Sequence, residues 1–185
     1  MVRYARALSL LAIASCAGNP APAAHPAPVT TAVTFPATPT KCDIEEYRRL
    51  DFWIGSWDVR DAAGKLEGTN VITREFDGCV IQQRWTSAED PQIGASFTGY
   101  DFRKRRWYHS WVDNWGNVLF IEGEWTANGM TFQGERLTPK GESARERLVW
   151  APRPDGSIHQ LWDYSLDDGR TWKVRFEGFE RRKTL

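Results

Sequence analysis

Nine turn signals cut the chain at even spacing: Ala63-Gly64, Asp77-Gly78, Asp90-Pro91, Arg103-Lys104, Trp115-Gly116, Asn128-Gly129, Lys140-Gly141, Asp155-Gly156 and Asp168-Gly169. They recur about every thirteen residues, the length of a strand of roughly ten residues plus a tight turn, and Asp-Gly and Asn-Gly favour the positive φ of hairpin corners. The intervening segments are rich in aromatic and β-branched residues, and many alternate: Trp107, His109, Trp111 and Asp113 share one face, as do Ile158, Gln160, Trp162 and Tyr164. Nine turns predict ten antiparallel strands. Long strands joined by tight turns favour an up-and-down barrel over a sandwich, and one domain of this size supplies too few blades for a propeller.

The barrel should open at Leu50-Asp51-Phe52-Trp53-Ile54-Gly55-Ser56-Trp57-Asp58-Val59. Read as extended chain, this run puts Trp53, Gly55, Trp57 and Val59 on one face, with Trp57 plugging one end and Gly55 leaving a gap that another segment can enter. Its Gly-x-Trp element resembles the first-strand signature of the lipocalin and fatty-acid-binding superfamily, the calycins. The longer Phe-Trp-x-Gly-x-Trp-x-Val pattern resembles a bacterial family of lipocalin-like domains of unassigned function. That resemblance implies an all-β, ten-stranded, calycin-like barrel over residues 41–185. Nitrobindin, a haem-binding ten-stranded barrel, is a more distant likeness; it would imply haem as a cofactor, although its glycine-tyrosine-proline continuation is missing here.

Ahead of the barrel, residues 1–15 combine a basic start at Arg3 and Arg6 with an apolar run from Ala7 to Ala14. The run is too short to span a membrane and reads as a secretion signal. Ile13-Ala14-Ser15-Cys16 resembles the bacterial lipobox, which implies lipidation of Cys16 and anchoring at the cell envelope facing the periplasm, or secretion if the lipobox is not used. Residues 16–40 then form an Ala/Pro/Thr-rich stretch with six prolines and almost no charge. Such a composition reads as an extended tether. Two cysteines remain, Cys42 and Cys79; in an oxidising compartment they are expected to pair, and no third Cys or His lies at metal-ligand spacing. Between Asp43 and Leu50, early acidic residues and late Arg48 and Arg49 suit a short helical turn capping one barrel mouth.

Chain charge is balanced, and nothing indicates nucleic acid. All ten Trp lie between Trp53 and Trp172, beside only two Met. If Trp57 marks the inner face, alternation predicts a lining of Ile81, Gln83 and Trp85; Ser96, Thr98 and Tyr100; Trp107, His109 and Trp111; Gln160, Trp162 and Tyr164; and Trp172, Val174 and Phe176. Aromatic walls with a few polar groups are the usual constitution of a small-molecule site. The candidate ligand contacts are Trp85, Tyr100, His109, Trp111, Gln160, Trp162 and Tyr164, with His109 the best single candidate for a proton shuttle or haem ligand. His159 is expected to face outward.

Hydrolase signals are missing. Gly94-Ala95-Ser96-Phe97-Thr98-Gly99 is not a nucleophile elbow, and His109 and Asp113, four residues apart on a strand, lie about 13 Å apart. Ser165-Leu166-Asp167-Asp168-Gly169-Arg170-Thr171-Trp172 matches the Asp-box of sialidase propellers, but a single copy reads as a structural hairpin. The basic runs Arg103–Arg106 and Arg181–Lys183 read as solvated turn and tail charge, with anionic lipid as the alternative. The expectation is a lipid-tethered barrel binding a small apolar or aromatic molecule, more a binder than an enzyme. An isomerase or cyclase using His109, and an envelope scaffold with a filled barrel, stay open beside it.

Overall fold

The computed structural model describes residues 42–183; Cys16 and the stretches read above as a signal segment and a tether lie outside them. Ten antiparallel strands run in simple order around a closed barrel. They are β1 (Gly55–Arg60), β2 (Leu66–Glu75), β3 (Val80–Ser87), β4 (Ile93–Asp101), β5 (Arg106–Asp113), β6 (Val118–Thr126), β7 (Gly129–Leu137), β8 (Ser143–Pro152), β9 (Ile158–Ser165) and β10 (Lys173–Arg182). Eight of the nine dipeptide signals fall between strands, and the ninth, Asn128-Gly129, ends on the first residue of β7. Strand β10 returns to pair with β1, Trp57 opposite Arg182, so no edge is left open. This is the all-β, calycin-like architecture expected.

One expectation about the opening run is corrected. Asp51–Trp53 is a turn of 3-10 helix, and the strand begins only at Gly55. The chain changes direction there because Gly55 takes φ +139°, where a side chain would be strained and a Cβ would lie 2.6 Å from Arg182 Nη1. The gap is filled by Arg182, whose guanidinium lies 4.6 Å from the Trp57 ring and donates to the Ile54 carbonyl at 3.1 Å. Trp53, though outside the strand, is fully buried against Trp150 at 4.2 Å between ring centroids.

In an up-and-down barrel, alternate connections lie at opposite ends. The end carrying the β2–β3, β4–β5, β6–β7 and β8–β9 turns is closed by α1 (Glu45–Arg48) and the 3-10 turn. Tyr47 meets Tyr100 edge-on at 5.6 Å, and Phe52 meets Trp125 at 6.1 Å. Arg74 Nη1 donates to the Tyr47 and Gly78 carbonyls at 3.2 and 2.9 Å, and a Cys42–Cys79 disulfide ties the cap to the start of β3. Behind this cap the lumen is solid: Leu50, Trp53, Trp57, Phe132 and Trp150 are all buried to 1% exposure or less. Aromatic rings of this size dominate such a core.

The Asp-box segment is a hairpin built as expected. Gly169 N donates to Ser165 Oγ at 2.8 Å, and Thr171 N and Oγ1 donate to Asp167 at 2.8 and 2.6 Å. These bonds hold the Asp167 carboxyl far below its usual range. Trp172 packs outside the barrel, 4.1 Å from the Arg147 guanidinium. It is not an inward residue.

Candidate functional site

At the end opposite the cap the lumen stays hollow, forming a cavity of about 350 Å³ open to solvent. Its walls follow from register. Inward positions line up across strands as Ile72, Gln83, Ser96, Trp111 and Leu119, and in the next row as Ile81, Thr98, His109 and Ile121. The space survives because rings lie flat on the wall: a Cβ at Gly94 would overlap the Trp111 indole, and Trp85 covers Gly68 in the same manner.

Five of the seven candidate residues, Trp85, His109, Trp111, Gln160 and Trp162, border this one cavity. The other two do not. Tyr100 packs against Tyr47 and Trp107 at the capped end, and Tyr164 sits at the rim under Arg175, whose guanidinium is 4.7 Å from its ring. Of the wider lining expected from β10, Phe176 faces in, but Val174 is 60% exposed. A register shift between Val174 and Phe176 is responsible: Val174 opposes Asp163 and Phe176 opposes Trp162, so Arg175 is the extra residue and its side chain reaches the cavity. Bulges re-aim side chains in this way.

His109 forms part of the cavity floor. It is 3% exposed, shares a 2.8 Å hydrogen bond between Nδ1 and Thr98 Oγ1, and packs against Trp150 and Phe132 with ring centroids 5.0 and 5.5 Å away. Burial without a charged partner pushes its pKa down to about 3, so the imidazole is neutral at ordinary pH. Its Nδ1 partner is a threonine hydroxyl, not a carboxylate. An axial haem ligand must present its nitrogen to an open plane, and an imidazole this enclosed does not fit that role. Among the described residues no group of three or more His, Cys, Asp or Glu side chains is placed to hold a metal ion.

Polar groups that the sequence reading passed over define the rest of the site. Glu146, 0% exposed, accepts from Trp162 Nε1 at 2.6 Å, Arg136 Nε at 3.0 Å and Arg175 Nη2 at 3.2 Å. Across the mouth, Asp113 accepts from Gln92 Nε2 at 3.0 Å and Trp111 Nε1 at 3.2 Å. Burial raises the Asp113 pKa, but bonds from Asn117, Trp111 and the Trp115 backbone outweigh it and hold the carboxyl below its usual range. Deeper, Ser96 Oγ donates to Gln83 Oε1 at 2.9 Å, Gln83 Nε2 to Asn70 Oδ1 at 2.9 Å, and Asn70 Nδ2 to Glu180 Oε2 at 3.4 Å. Every donor in that chain points toward Glu180, a 0%-exposed acid whose pKa burial lifts to about 7. One donor in the floor is left over: Trp150 Nε1 is buried and has no hydrogen-bond partner among the described residues.

Glu146 and Glu180 were detectable in principle. Ala144, Glu146, Leu148 and Trp150 alternate on one face of a strand segment, as do Gly178 and Glu180, and a charged residue in register with large apolar ones is the signal of a buried charge with partners. His159 faces outward as expected, 2.8 Å from Glu177 and stacked on Phe179 at 4.9 Å. No protein-family model matches the chain, and a comparison with curated proteins finds no match.

Proposed function

We propose that this barrel is a binding protein for a small apolar or aromatic molecule, held in the open cavity and presented at a bacterial envelope surface. On this reading the domain belongs with the calycin-type lipocalin-like proteins, and lipid on Cys16 anchors it to the membrane through residues 17–40. The observation that carries the binding role is the Trp150 indole N–H, a fully buried donor with no partner among the described residues, bordering an aromatic cavity. Burying an unmade hydrogen bond costs about 1–3 kcal/mol, a cost that a ligand acceptor or a bound water relieves. A filled scaffold barrel accounts poorly for the hollow half of the lumen. The enzyme reading is weaker too, because an imidazole whose pKa burial lowers to about 3 is a weak base.

Native mass spectrometry of protein released from its own membranes tests this. A reproducible added mass, lost on denaturation, is the expected result; repeated spectra of the bare chain, with no quenching of the ten Trp by added aromatic probes, would reject it. For the anchor, Cys16→Ala should release the protein into the high-salt wash, and retention in the membrane would remove that part.

A further inference from the structure

The rim of the cavity holds two guanidiniums on one carboxylate. Arg136 and Arg175 both bond Glu146 Oε1, and among the described residues neither has another acidic partner within ion-pair distance. Glu146 is itself saturated, since its second oxygen takes the Trp162 indole N–H. The cluster therefore carries one surplus positive charge, fixed in place: the two guanidiniums lie 5.8 and 5.6 Å from the centre of the Trp162 ring, and their side chains are 21% and 32% exposed. Each guanidinium offers five N–H donors in a planar fork, and the bonds to Glu146 use one from each.

Arg175 reaches this position only because the β10 bulge turns it there. Glu146 can neutralise only one of the two arginines it holds, and each guanidinium keeps N–H donors beyond its bond to Glu146. Inward from the pair stand Trp162, Phe176, Trp85 and Trp150, and at the bottom the unpaired Trp150 N–H. Charge at the rim and rings below it describe the complement of an amphipathic molecule lying along the barrel axis.

We infer that Arg136 and Arg175 form a dock for a single carboxylate, so that the cargo is an aromatic monocarboxylate held with its ring inward and its charge at the mouth. The inference rests on the binding role proposed above. A planar carboxylate matches the arginine fork and neutralises the surplus charge in a half-desolvated setting, where charge-assisted bonds are stronger than neutral ones.

Calorimetric titration of the intact protein with 2-naphthoate and its uncharged isostere 2-naphthamide tests the dock. At low salt naphthoate should bind about tenfold tighter or more, with a preference that shrinks as salt is raised. Arg175→Gln should cut the naphthoate-to-naphthamide affinity ratio about tenfold. Glu146→Gln, which removes the negative charge and keeps one oxygen for the two guanidiniums while giving up the acceptor for the Trp162 N–H, should widen that ratio. Equal affinities in the parent protein, or a ratio that neither substitution moves, overturns the carboxylate dock and leaves the binding role standing; binding of neither probe overturns both.

Discussion

Trp53 donates its indole N–H to Glu180 Oε2 at 3.0 Å, joining residues 127 positions apart through the sealed half of the barrel. Burial nevertheless outweighs this bond and the one from Asn70, and lifts the Glu180 pKa from 4.5 to about 7. A raised carboxyl pKa means the folded state holds its proton more tightly than the unfolded chain does. The resulting stability is present below about pH 4.5 and is lost as pH rises to about 7, a change on the order of 3 kcal/mol. Glu180→Gln should remove that dependence, so its stability relative to the parent should improve between pH 4.5 and pH 8 by about this amount. Urea denaturation at the two pH values reads it, and an unchanged difference would contradict the burial argument.

His109 acts with the opposite sign. Its pKa falls from 6.5 to about 3, so acidification protonates the unfolded chain first, and stability is lost as pH drops below 6.5 toward 3. Below about pH 4.5, where Glu180 no longer contributes, His109→Gln, which can still bond Thr98, should flatten the profile by about 1.4 kcal/mol per pH unit. Between pH 4.5 and 6.5 the two groups oppose each other, and the parent protein should show a shallower profile than either variant. Imidazole chemical shifts that move through a midpoint near 6.5 would contradict a neutral, buried ring.

Replacing Cys42 or Cys79 by Ser opens a loop closed across a separation of 37 residues. Chain entropy puts the loss at about 4 kcal/mol, an upper figure where the unfolded chain keeps some structure. The cap is what loosens first, so proteolysis should begin in the Asp43–Leu50 segment of the variant. Uniform unfolding with no early cleavage there would show that the strap holds the whole barrel rather than its lid.

Gly94→Ala places a methyl group where the Trp111 indole lies. The ring must swing into the cavity, with an overpacking cost of about 1–3 kcal/mol. Affinity for aromatic probes should fall with the lost volume, while far-UV circular dichroism of the sheet stays the same. Undiminished probe binding would mean that the indole has another place to go.

Strand number and order were legible because each corner needs a residue that accepts positive φ or a tight bend, and those residues are conspicuous. Parity within β3, β4, β5 and β9 was legible too, since nothing interrupts their alternation between turns. Three features hid. The 3-10 turn at Asp51–Trp53 is set by tertiary packing of Trp53 on Trp150, which no local pattern announces. The bulge at Arg175 reverses parity by inserting one residue, and alternating apolar residues on either side conceal it. The partnership of Arg136 and Glu146 hid because they lie on different strands, and only register brings them together with Trp162 and Arg175.

Among the described residues, the cap and its disulfide leave the lumen with one doorway, beside the loops bearing Gln92, Trp115 and Asn117. Under the proposed binding role, a cargo departs only by backtracking, and a newcomer has no way to push it from behind. Exchange therefore passes through an empty vessel, and the rate at which one molecule replaces another should be independent of how much of the second is supplied.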